Sequence, residues 1–351
     1  MRWIEQSLDA DDGALPGLGR AGLVRTVATP EFEGVTFHEV LCKSALSKVP
    51  DGSNMPFRWT INPMRGCLHQ CRYCFARPTH EYLDLDAGKD FDTQIVVKMN
   101  IAAVLRKELS RRSWHGEPVA LGTNTDPYQR AEGRYGLMPG IIRALAGSGT
   151  PFSILTKGTL LRRDLPLLSA ASERVDVSLS MSLAMMDPAM QKAIEPGTPS
   201  PAARLELIRA IRRAGFEPHI MVAPVIPYLT DGRRELAELF GALADAGART
   251  VTVIPMNLRG STRGWFMDWL AREHPKLVGR YRRLYGRGAN VPGEYRAWLR
   301  ERVTPLLDEH GLSSGSPVDD DAASDIAGPD SPGAGGRPTD GQAQEPALKL
   351  F

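Results

Sequence analysis

The 351-residue sequence has only 4 cysteines, and none of its apolar stretches approaches the ~20 residues that a membrane-spanning helix needs. Its first residues also lack the hydrophobic core of a secretion signal. A long chain with so few cysteines and no such signal is not expected to be a disulfide-stabilised secreted protein. We therefore expect a cytoplasmic protein that makes no contact with a membrane.

The sequence also has little net charge, because 43 lysines and arginines nearly balance 41 aspartates and glutamates. Hydrophobic residues make up 42% of the chain and charged residues 24%. These values are typical of a globular protein, and a chain of this length can bury a large core. Composition alone therefore does not identify a class of partner.

Three of the four cysteines lie close together, with the spacing C-x3-C-x2-C at Cys67, Cys71 and Cys74. A structural zinc site takes four ligands, so Cys42 or His69 would have to complete it. Electron-transfer iron–sulfur clusters also take four cysteines. Three thiolates can instead bind three irons of a [4Fe–4S] cluster and leave the fourth iron open to a substrate or cofactor. The spacing by itself leaves both the zinc site and this open cluster as alternatives.

Strand-like and helix-like segments alternate through the middle of the chain. The strand-like segments are 58–62, 119–122, 152–156, 175–181, 219–223 and 251–255. The helix-like segments are about 99–112, 137–148, 160–171, 201–214 and 232–247. Repeated βα units predict a parallel sheet covered by helices. The pattern by itself fits an incomplete (β/α)6 barrel and a doubly wound open sheet equally well.

Polar residues follow most of these predicted strands. The cysteine loop follows the first strand, 122–126 the second and Lys157 the third, while Ser180 and Ser182 end the fourth and Ala223 the fifth. The carboxyl ends of parallel strands meet at one face, where barrel enzymes place their active sites. The sequence therefore predicts a single site at this face.

Segments 61–67, 74–82, 121–129, 155–157 and 195–198, together with Tyr73 before the last cysteine, resemble the radical S-adenosylmethionine (SAM) superfamily. Within it, the resemblance is to the branch that contains spore photoproduct lyase and its bacterial relatives, and it covers about residues 55–260. It implies an α/β fold, an incomplete (β/α)6 TIM-like barrel. It also implies a [4Fe–4S] cluster on Cys67, Cys71 and Cys74 that cleaves SAM reductively to a 5′-deoxyadenosyl radical, with an electron donor such as flavodoxin or ferredoxin.

The resemblance and the strand-end positions together suggest the residues that contact SAM. We expect Lys157 to pair with the SAM carboxylate, although a lysine opening a turn is also commonly exposed to solvent. Asn124, Thr125 and Ser180 are expected at the amino group or ribose; alternatively, Asn124 and Thr125 only cap a turn, and Ser180 lies on a solvated strand face. Main-chain atoms near Tyr73, Phe75 and Ala223 are expected to hold the adenine.

Four further residues near these motifs carry expectations of their own. We expect His69 and Arg72 to lie on the surface of the cysteine loop. Asp126 and Tyr128 are expected to face the substrate.

Three further segments flank the predicted barrel domain. Residues 1–54 form an N-terminal extension with a possible strand at 34–40, and residues 261–312 form a C-terminal helical region. Residues 313–351 contain 7 acidic and 2 basic residues and almost no large apolar residue before Leu348. This composition predicts a disordered acidic tail.

Two segments of the sequence suggest which macromolecules the protein binds. Residues 272–302 hold 9 basic and 3 acidic residues with interleaved aromatics, which suits contact with DNA or another nucleic acid. Amphipathic helices with their aromatics packed inward would give the same pattern. The chain ends in Leu348, Leu350 and Phe351, which resemble the peptides that dock bacterial enzymes onto the replication sliding clamp and would favour DNA repair.

One departure from the branch concerns the reaction. Spore photoproduct lyase has a cysteine near Gly122-Thr123-Asn124 that returns a hydrogen atom to its substrate radical, whereas this chain has Thr123, whose O–H bond is too strong for that step. The leading hypothesis is a radical SAM enzyme, lyase-like or modifying, that acts on a nucleic acid. Radical modification of a protein or metabolite, and a non-catalytic metal-stabilised nucleic-acid-binding module, are the alternatives.

Overall fold

The structure is a computed structural model that describes residues 22–50, 53 and 55–315. It contains two β-sheets, whose strands and helices are numbered here in chain order. The predicted docking residues Leu348, Leu350 and Phe351, and the predicted tail from residue 316 onward, lie outside the described residues.

The larger sheet has eight strands and contains all six predicted ones. Its strands are β3 (Leu46–Lys48), β4 (Trp59–Ile61), β7 (Val119–Leu121), β8 (Phe152–Thr156), β9 (Val177–Ser182), β10 (His219–Val225), β11 (Thr250–Pro255) and β12 (Ser313–Ser314). Their spatial order is β12-β11-β10-β9-β8-β7-β4-β3, and every pair is parallel except β3 with β4.

The order of the strands decides between the two architectures. From β4 to β11 the spatial order follows the chain order, whereas a doubly wound sheet reverses its order at a switch point. In β8, the side chains of Phe152, Ile154 and Thr156 are buried, while Ser153 and Leu155 between them are only half-buried. One face of the sheet is therefore covered and the other faces a more open interior. The sheet is an open, incomplete (β/α)6 barrel, as predicted.

The five predicted helices are all present. They are α2 (Ile101–Leu109), α4 (Met138–Gly147), α5 (Leu161–Ser172), α7 (Pro201–Arg213) and α8 (Arg233–Asp245). The remaining helices are α1 (Lys89–Thr93), α3 (Arg130–Tyr135), α6 (Pro188–Ile194), α9 (Gly260–Glu273), α10 (Val278–Tyr285) and α11 (Gly293–Glu309), with 3-10 turns at Pro30–Phe32, Arg77–Leu83 and Pro275–Leu277. Helices α9 to α11 form the predicted C-terminal helical region.

The smaller sheet was mostly missed from the sequence. Its strands, in spatial order, are β1 (Leu23–Ala28), β2 (Thr36–Val40), β6 (Gln94–Lys98) and β5 (Met64–Arg65). Only β2 matches a prediction, the possible strand at 34–40. Because β2 pairs with β6, the N-terminal extension is joined to the barrel domain rather than separate from it. Strand β5 leads directly into the cysteine loop and so fixes where that loop begins.

The boundary of the predicted tail also needs correction. Ser313 and Ser314 form β12, which pairs with Thr250 and Val251 of β11, and Gly315 continues this pairing by donating to the Val251 carbonyl oxygen. These residues therefore belong to the larger sheet. In the part of the chain that the structure describes, every helix is too short or too polar to cross a membrane.

Candidate active site

The three cysteines lie on a tight loop that begins directly after β5. Gly66 has a φ of +81°, and a Cβ atom at this position would lie 2.9 Å from the Phe91 carbonyl oxygen. The amide of Cys67 donates to the same oxygen at 3.1 Å. Cys67 and Cys71 are buried, and Cys74 is half-buried. The glycine is therefore needed for the sharp turn that brings the first cysteine inside.

The segment after α6 holds one side of this loop. The Arg72 amide donates to the Ile194 carbonyl oxygen at 2.9 Å, and the Gly197 amide donates to the His69 carbonyl oxygen at 3.1 Å. A side chain at position 197 would collide with the Leu68 carbonyl oxygen, so glycine permits the close approach. Segment 195–198 is one of the segments on which the resemblance to the radical SAM superfamily rests. The structure shows that this segment supports the cysteine loop.

The segment after β7 holds the opposite side. The hydroxyl of Thr125 donates to the Gly66 carbonyl oxygen at 2.7 Å, and Gln129 accepts from the Leu68 amide at 2.8 Å. Thr125 is buried, and its hydroxyl also accepts from Gln129 at 2.9 Å. The structure thus gives Thr125 a role in positioning the loop, while its predicted contact with SAM stays a prediction.

A buried arginine completes the support. Arg77 is fully buried and donates two hydrogen bonds to the Cys71 carbonyl oxygen, at 2.9 and 3.2 Å. It also forms a bidentate pair with Asp92, and its guanidinium lies 4.8 Å from the ring centroid of Trp265. On the same side, Thr262 of α9 donates to the Cys74 carbonyl oxygen at 2.9 Å. Sequence reasoning missed Arg77, because an arginine in a loop ordinarily points to solvent.

The protonation of the thiols is consistent with a metal-binding role. Burial, together with the nearby Glu195 carboxylate, raises the pKa of Cys71 well above its ordinary value. Burial also raises the pKa of Cys74 to about 11, against the opposing effect of Arg77. Such thiols ionise when a cation takes the place of the proton, which is how metal binding releases protons. The donor set therefore fits an iron–sulfur cluster bound by three thiolates.

A structural zinc site would need its four ligands around one metal ion. Among the described residues, no three His, Cys, Asp or Glu side chains lie close enough to share one metal ion. An iron–sulfur cluster does not require several side chains around one metal ion, since each cysteine binds a different iron. Cys42 is buried elsewhere, with its main chain hydrogen-bonded to the side chain of Asn100.

Lys157 points into the site rather than into solvent. Its side chain is only 15% exposed, and its ammonium group donates to the Ser182 hydroxyl at 2.5 Å. Ser182 in turn donates to the Ala223 carbonyl oxygen at 3.2 Å. The ammonium also lies 3.5 Å from Glu195 and 5.8 Å from the ring centroid of Tyr73. The ends of β8, β9 and β10 and the cysteine loop therefore converge on Lys157.

Glu195 is the buried carboxylate of this site. Arg204 donates to it at 2.5 Å, and the Tyr73 hydroxyl also donates to it. Burial alone would raise the pKa of Glu195, but the cations Arg204 and Lys157 hold that pKa well below its usual range. One carboxylate is therefore shared by two cations.

His69 does not lie on the loop surface as predicted. It is 3% exposed, and its Nδ1 atom lies 3.3 Å from the Asp126 carboxylate. Although burial alone would lower it, the Asp126 carboxylate raises the pKa of His69 to about 10. The loop folds back on the segment after β7, so the imidazole is buried against an opposite charge. Arg72 is half-buried, and its Nε atom is buried without a hydrogen-bond partner.

Asp126 and Tyr128 are both hydrogen-bonded to neighbouring segments of the barrel. Asp126 accepts from the Thr156 hydroxyl at 2.6 Å and from the Lys157 amide at 2.7 Å. Tyr128 is 1% exposed, and its hydroxyl donates to Asp164 at 3.1 Å. Asp126 therefore stabilises the turn before Lys157, Tyr128 is fastened to α5, and their contact with a substrate stays a prediction.

The remaining predicted SAM contacts are less enclosed. Asn124 is exposed, and its amide donates to Asn62 at 3.1 Å. Ser180 is half-buried two residues before Ser182, on the same face of β9, and the Phe75 side chain is 47% exposed. Ser182 and Glu195 lie in the site but were not among the predicted SAM contacts. The position of Ser182 at the end of a predicted strand did indicate that it lies at this face of the barrel.

Comparison with known proteins identifies the family of this chain. The radical SAM superfamily model matches residues 61–240, which is more than half of the chain. An uncharacterized protein of Mycobacterium tuberculosis is 64% identical over 318 residues, covering 89% of this chain and 94% of that protein. An uncharacterized protein of Acidianus two-tailed virus is 28% identical over 217 residues, covering 60% of this chain and 70% of the viral protein.

Solved structures with a similar fold include spore photoproduct lyase. Its complex with dinucleoside spore photoproduct has a TM-score of 0.58 at 18% identity and covers 79% of this chain and 81% of that chain. A variant with bound AdoMet and the same dinucleoside has a TM-score of 0.57 at 17% identity, with coverage of 79% and 81%. At this identity the likeness concerns the fold.

Proposed function

Because this chain belongs to the radical SAM superfamily and is an enzyme of that class, we propose that Cys67, Cys71 and Cys74 bind a [4Fe–4S] cluster whose fourth iron binds SAM. The observation that carries the proposal is the cysteine loop itself, which is held by the segments after β7 and α6 and by Arg77. When bound, the cluster and SAM would supply a 5′-deoxyadenosyl radical that abstracts a hydrogen atom from the substrate.

The charge balance beside the loop supports a role for Lys157. Lys157 and Arg204 both contact Glu195, so the two cations share a single carboxylate. The carboxylate of SAM would give one of them a second acceptor with the opposite charge. Lys157 is the more exposed of the two cations and is therefore the one assigned to SAM. Ser182 would keep its ammonium group at the strand ends.

A nucleic acid is the substrate class that we assign to this chemistry, with a role in DNA repair as the corresponding expectation. The fold is similar to that of spore photoproduct lyase, which was solved with a dinucleoside photoproduct, and the chain has a basic segment at 272–302. The reaction itself is expected to differ from that lyase. The resemblance puts the cysteine of that lyase near Gly122-Thr123-Asn124, where this chain has Thr123, whose hydroxyl donates to Asn62 at 3.3 Å.

Anaerobic reconstitution tests the cluster chemistry. The wild-type protein is loaded with iron and sulfide, then given dithionite and SAM, and 5′-deoxyadenosine is quantified. We expect product from the wild type and none from Cys71→Ala, because two thiolates do not hold the cluster. Iron content and the visible absorbance of the cluster are measured on the same samples.

Cys42→Ala is the matched control, since Cys42 is the remaining cysteine and lies away from the loop. It is expected to keep the cluster and the product yield. A wild-type protein that binds zinc and assembles no cluster would refute the proposal, as would product formation by Cys71→Ala.

A further inference from the structure

Helix α10 carries a group of exposed arginines. Arg280, Arg282 and Arg283 are exposed, and so is Arg287 just after the helix. In the described part of the chain, none of the four forms an ion pair. Arg280 and Arg283 are three residues apart and therefore project from the same side of the helix. A surface of like charges without counter-charges attracts a polyanion.

The tyrosines of α10 pack inward and are not available for stacking. This agrees with the alternative interpretation of residues 272–302, in which amphipathic helices bury their aromatic residues. Tyr281 and Tyr285 are buried, and their hydroxyls donate to the carbonyl oxygens of Pro227 at 2.6 Å and Met256 at 2.7 Å. Pro227 follows β10 and Met256 follows β11. The buried tyrosines therefore attach α10 to the carboxyl ends of the strands, which is the end of the barrel that holds Lys157.

The segment after β11 links this region to the cysteine loop. Helix α9 begins there, and Thr262 in its first turn contacts the Cys74 carbonyl oxygen. Arg263, the next residue, donates to the carbonyl oxygens of Gly286 and Gly288, which directly follow α10. Thus α9 contacts the cysteine loop on one side and the end of α10 on the other. The arginines of α10 lie on the rim of the same opening.

Tyr228 adds an exposed aromatic ring to this rim. It lies in the loop after β10, is 40% exposed, and has a φ of +64°, a left-handed conformation that is strained for a tyrosine. The Arg280 guanidinium lies 5.6 Å from its ring centroid. Strained backbone held in place by its surroundings is concentrated at functional sites. The loop thus presents a ring beside a cation, the combination that binds bases and phosphates.

We propose that Tyr228, Arg280, Arg283 and Arg287, here called the α10 rim, bind single-stranded DNA across the opening of the barrel. The arginines contact phosphates, and Tyr228 stacks on a base. The inference extends the proposed function to a specific binding surface. It rests on that function for the reason why the protein would bind DNA. Single-stranded DNA suits the rim because base faces are free for stacking only when they are outside a duplex.

Fluorescence anisotropy with a labelled DNA strand of about 12 nucleotides measures this binding. Arg280→Glu/Arg283→Glu is expected to lower the affinity at least about tenfold at moderate salt and to flatten its dependence on salt, since each phosphate contact contributes about 0.7 to the slope for single strands. Arg111→Glu/Arg112→Glu is the charge-matched control. These two arginines are exposed and precede β7 at the opposite end of the strands, so the affinity should be retained.

A second variant tests the stacking. Tyr228→Gly removes the ring, and glycine accepts the left-handed backbone, so the fold should be kept. The variant is expected to bind the DNA strand roughly tenfold more weakly. On an abasic strand of the same length, wild type and Tyr228→Gly should bind equally, because no base is present to stack. A purely structural role for Tyr228 would weaken binding of both strands to the same extent.

The binding assay needs neither reductant nor SAM, so its failure is distinguishable from failure of the cluster chemistry. Equal affinities of wild type and Arg280→Glu/Arg283→Glu would overturn the proposal, as would an equal loss in Arg111→Glu/Arg112→Glu. Tighter binding of duplex DNA or of RNA of the same sequence would also overturn it. Production of 5′-deoxyadenosine by a protein that binds no DNA would leave the proposed SAM chemistry intact and reject the rim.

Discussion

A Cβ atom on Gly197 would lie 1.9 Å from the carbonyl oxygen of Leu68, in the middle of the cysteine loop. Gly197→Ala must therefore push the two segments apart. We expect a loss of ~1–3 kcal/mol in the free energy of unfolding, as is usual for overpacking, and a lower iron content after reconstitution. Thermal unfolding and iron analysis measure the two effects.

Gly264→Ala is the control for that substitution. Gly264 lies inside α9 with open space around it, so alanine should stabilise the protein by ~0.5–1 kcal/mol and leave the iron content unchanged. Wild-type iron content and stability in Gly197→Ala would mean that the close approach does not shape the loop.

Lys157→Met is expected to weaken SAM binding at least about tenfold, because a charge-assisted hydrogen bond contributes ~1.5–3 kcal/mol. The fold should survive, since Glu195 keeps Arg204 and Tyr73 as partners. Equilibrium dialysis of SAM against the reconstituted protein measures the dissociation constant. Lys192→Met is the matched control, because Lys192 is an exposed lysine near the same segment. Unchanged SAM affinity in Lys157→Met would remove Lys157 from the SAM site.

Replacing only one partner of the ion pair between Arg204 and Glu195 is expected to destabilise the protein strongly. Arg204→Met should lower the free energy of unfolding by ~3–5 kcal/mol, because it leaves a buried carboxylate with fewer partners. Arg204→Met/Glu195→Gln should recover part of this loss, since a neutral amide needs no counter-charge. Urea denaturation of the wild type, Arg204→Met, Glu195→Gln and the double variant gives the coupling free energy. Arg209→Met breaks only an exposed pair with Glu206 and should change stability by less than ~0.5 kcal/mol. No recovery in the double variant would contradict this account of Glu195.

His38 is expected to make the protein less stable in mild acid. It is buried in β2 and hydrogen-bonded to Gln94 at 2.8 Å, and burial lowers its pKa below the ordinary value of 6.5. The unfolded chain therefore takes up a proton at higher pH than the folded chain does. The stabilising contribution is complete above pH 6.5 and is lost as the pH falls through that value towards the lower folded pKa. Urea denaturation between pH 7.5 and pH 5 should show a smaller acid loss in His38→Gln than in the wild type. His115→Gln, at an exposed position, should behave as the wild type does.

The larger sheet could be predicted because its signals are local. Each parallel strand is a short apolar segment followed by a helix-like segment. Three of these helices are followed by Gly149, Gly215 and Gly247, which adopt the positive φ that favours glycine and ends a helix. The smaller sheet gave no such signal. Its strand β5 has two residues, and β2 finds its parallel partner β6 more than 50 residues along the chain. Pairing at that separation depends on how the barrel brings the segments together.

The sequence by itself determined the cysteine spacing, the alternation of strands and helices, and the position of Lys157 at a strand end, since each is set by neighbouring residues. Only the tertiary structure decided that Tyr73 meets Glu195, 122 residues away, that Arg77 is buried beneath Cys71, and that His69 pairs with Asp126. The physical reason is desolvation. A charged side chain is buried only where the fold supplies an opposite charge or hydrogen-bond partners, and those partners come from distant parts of the chain.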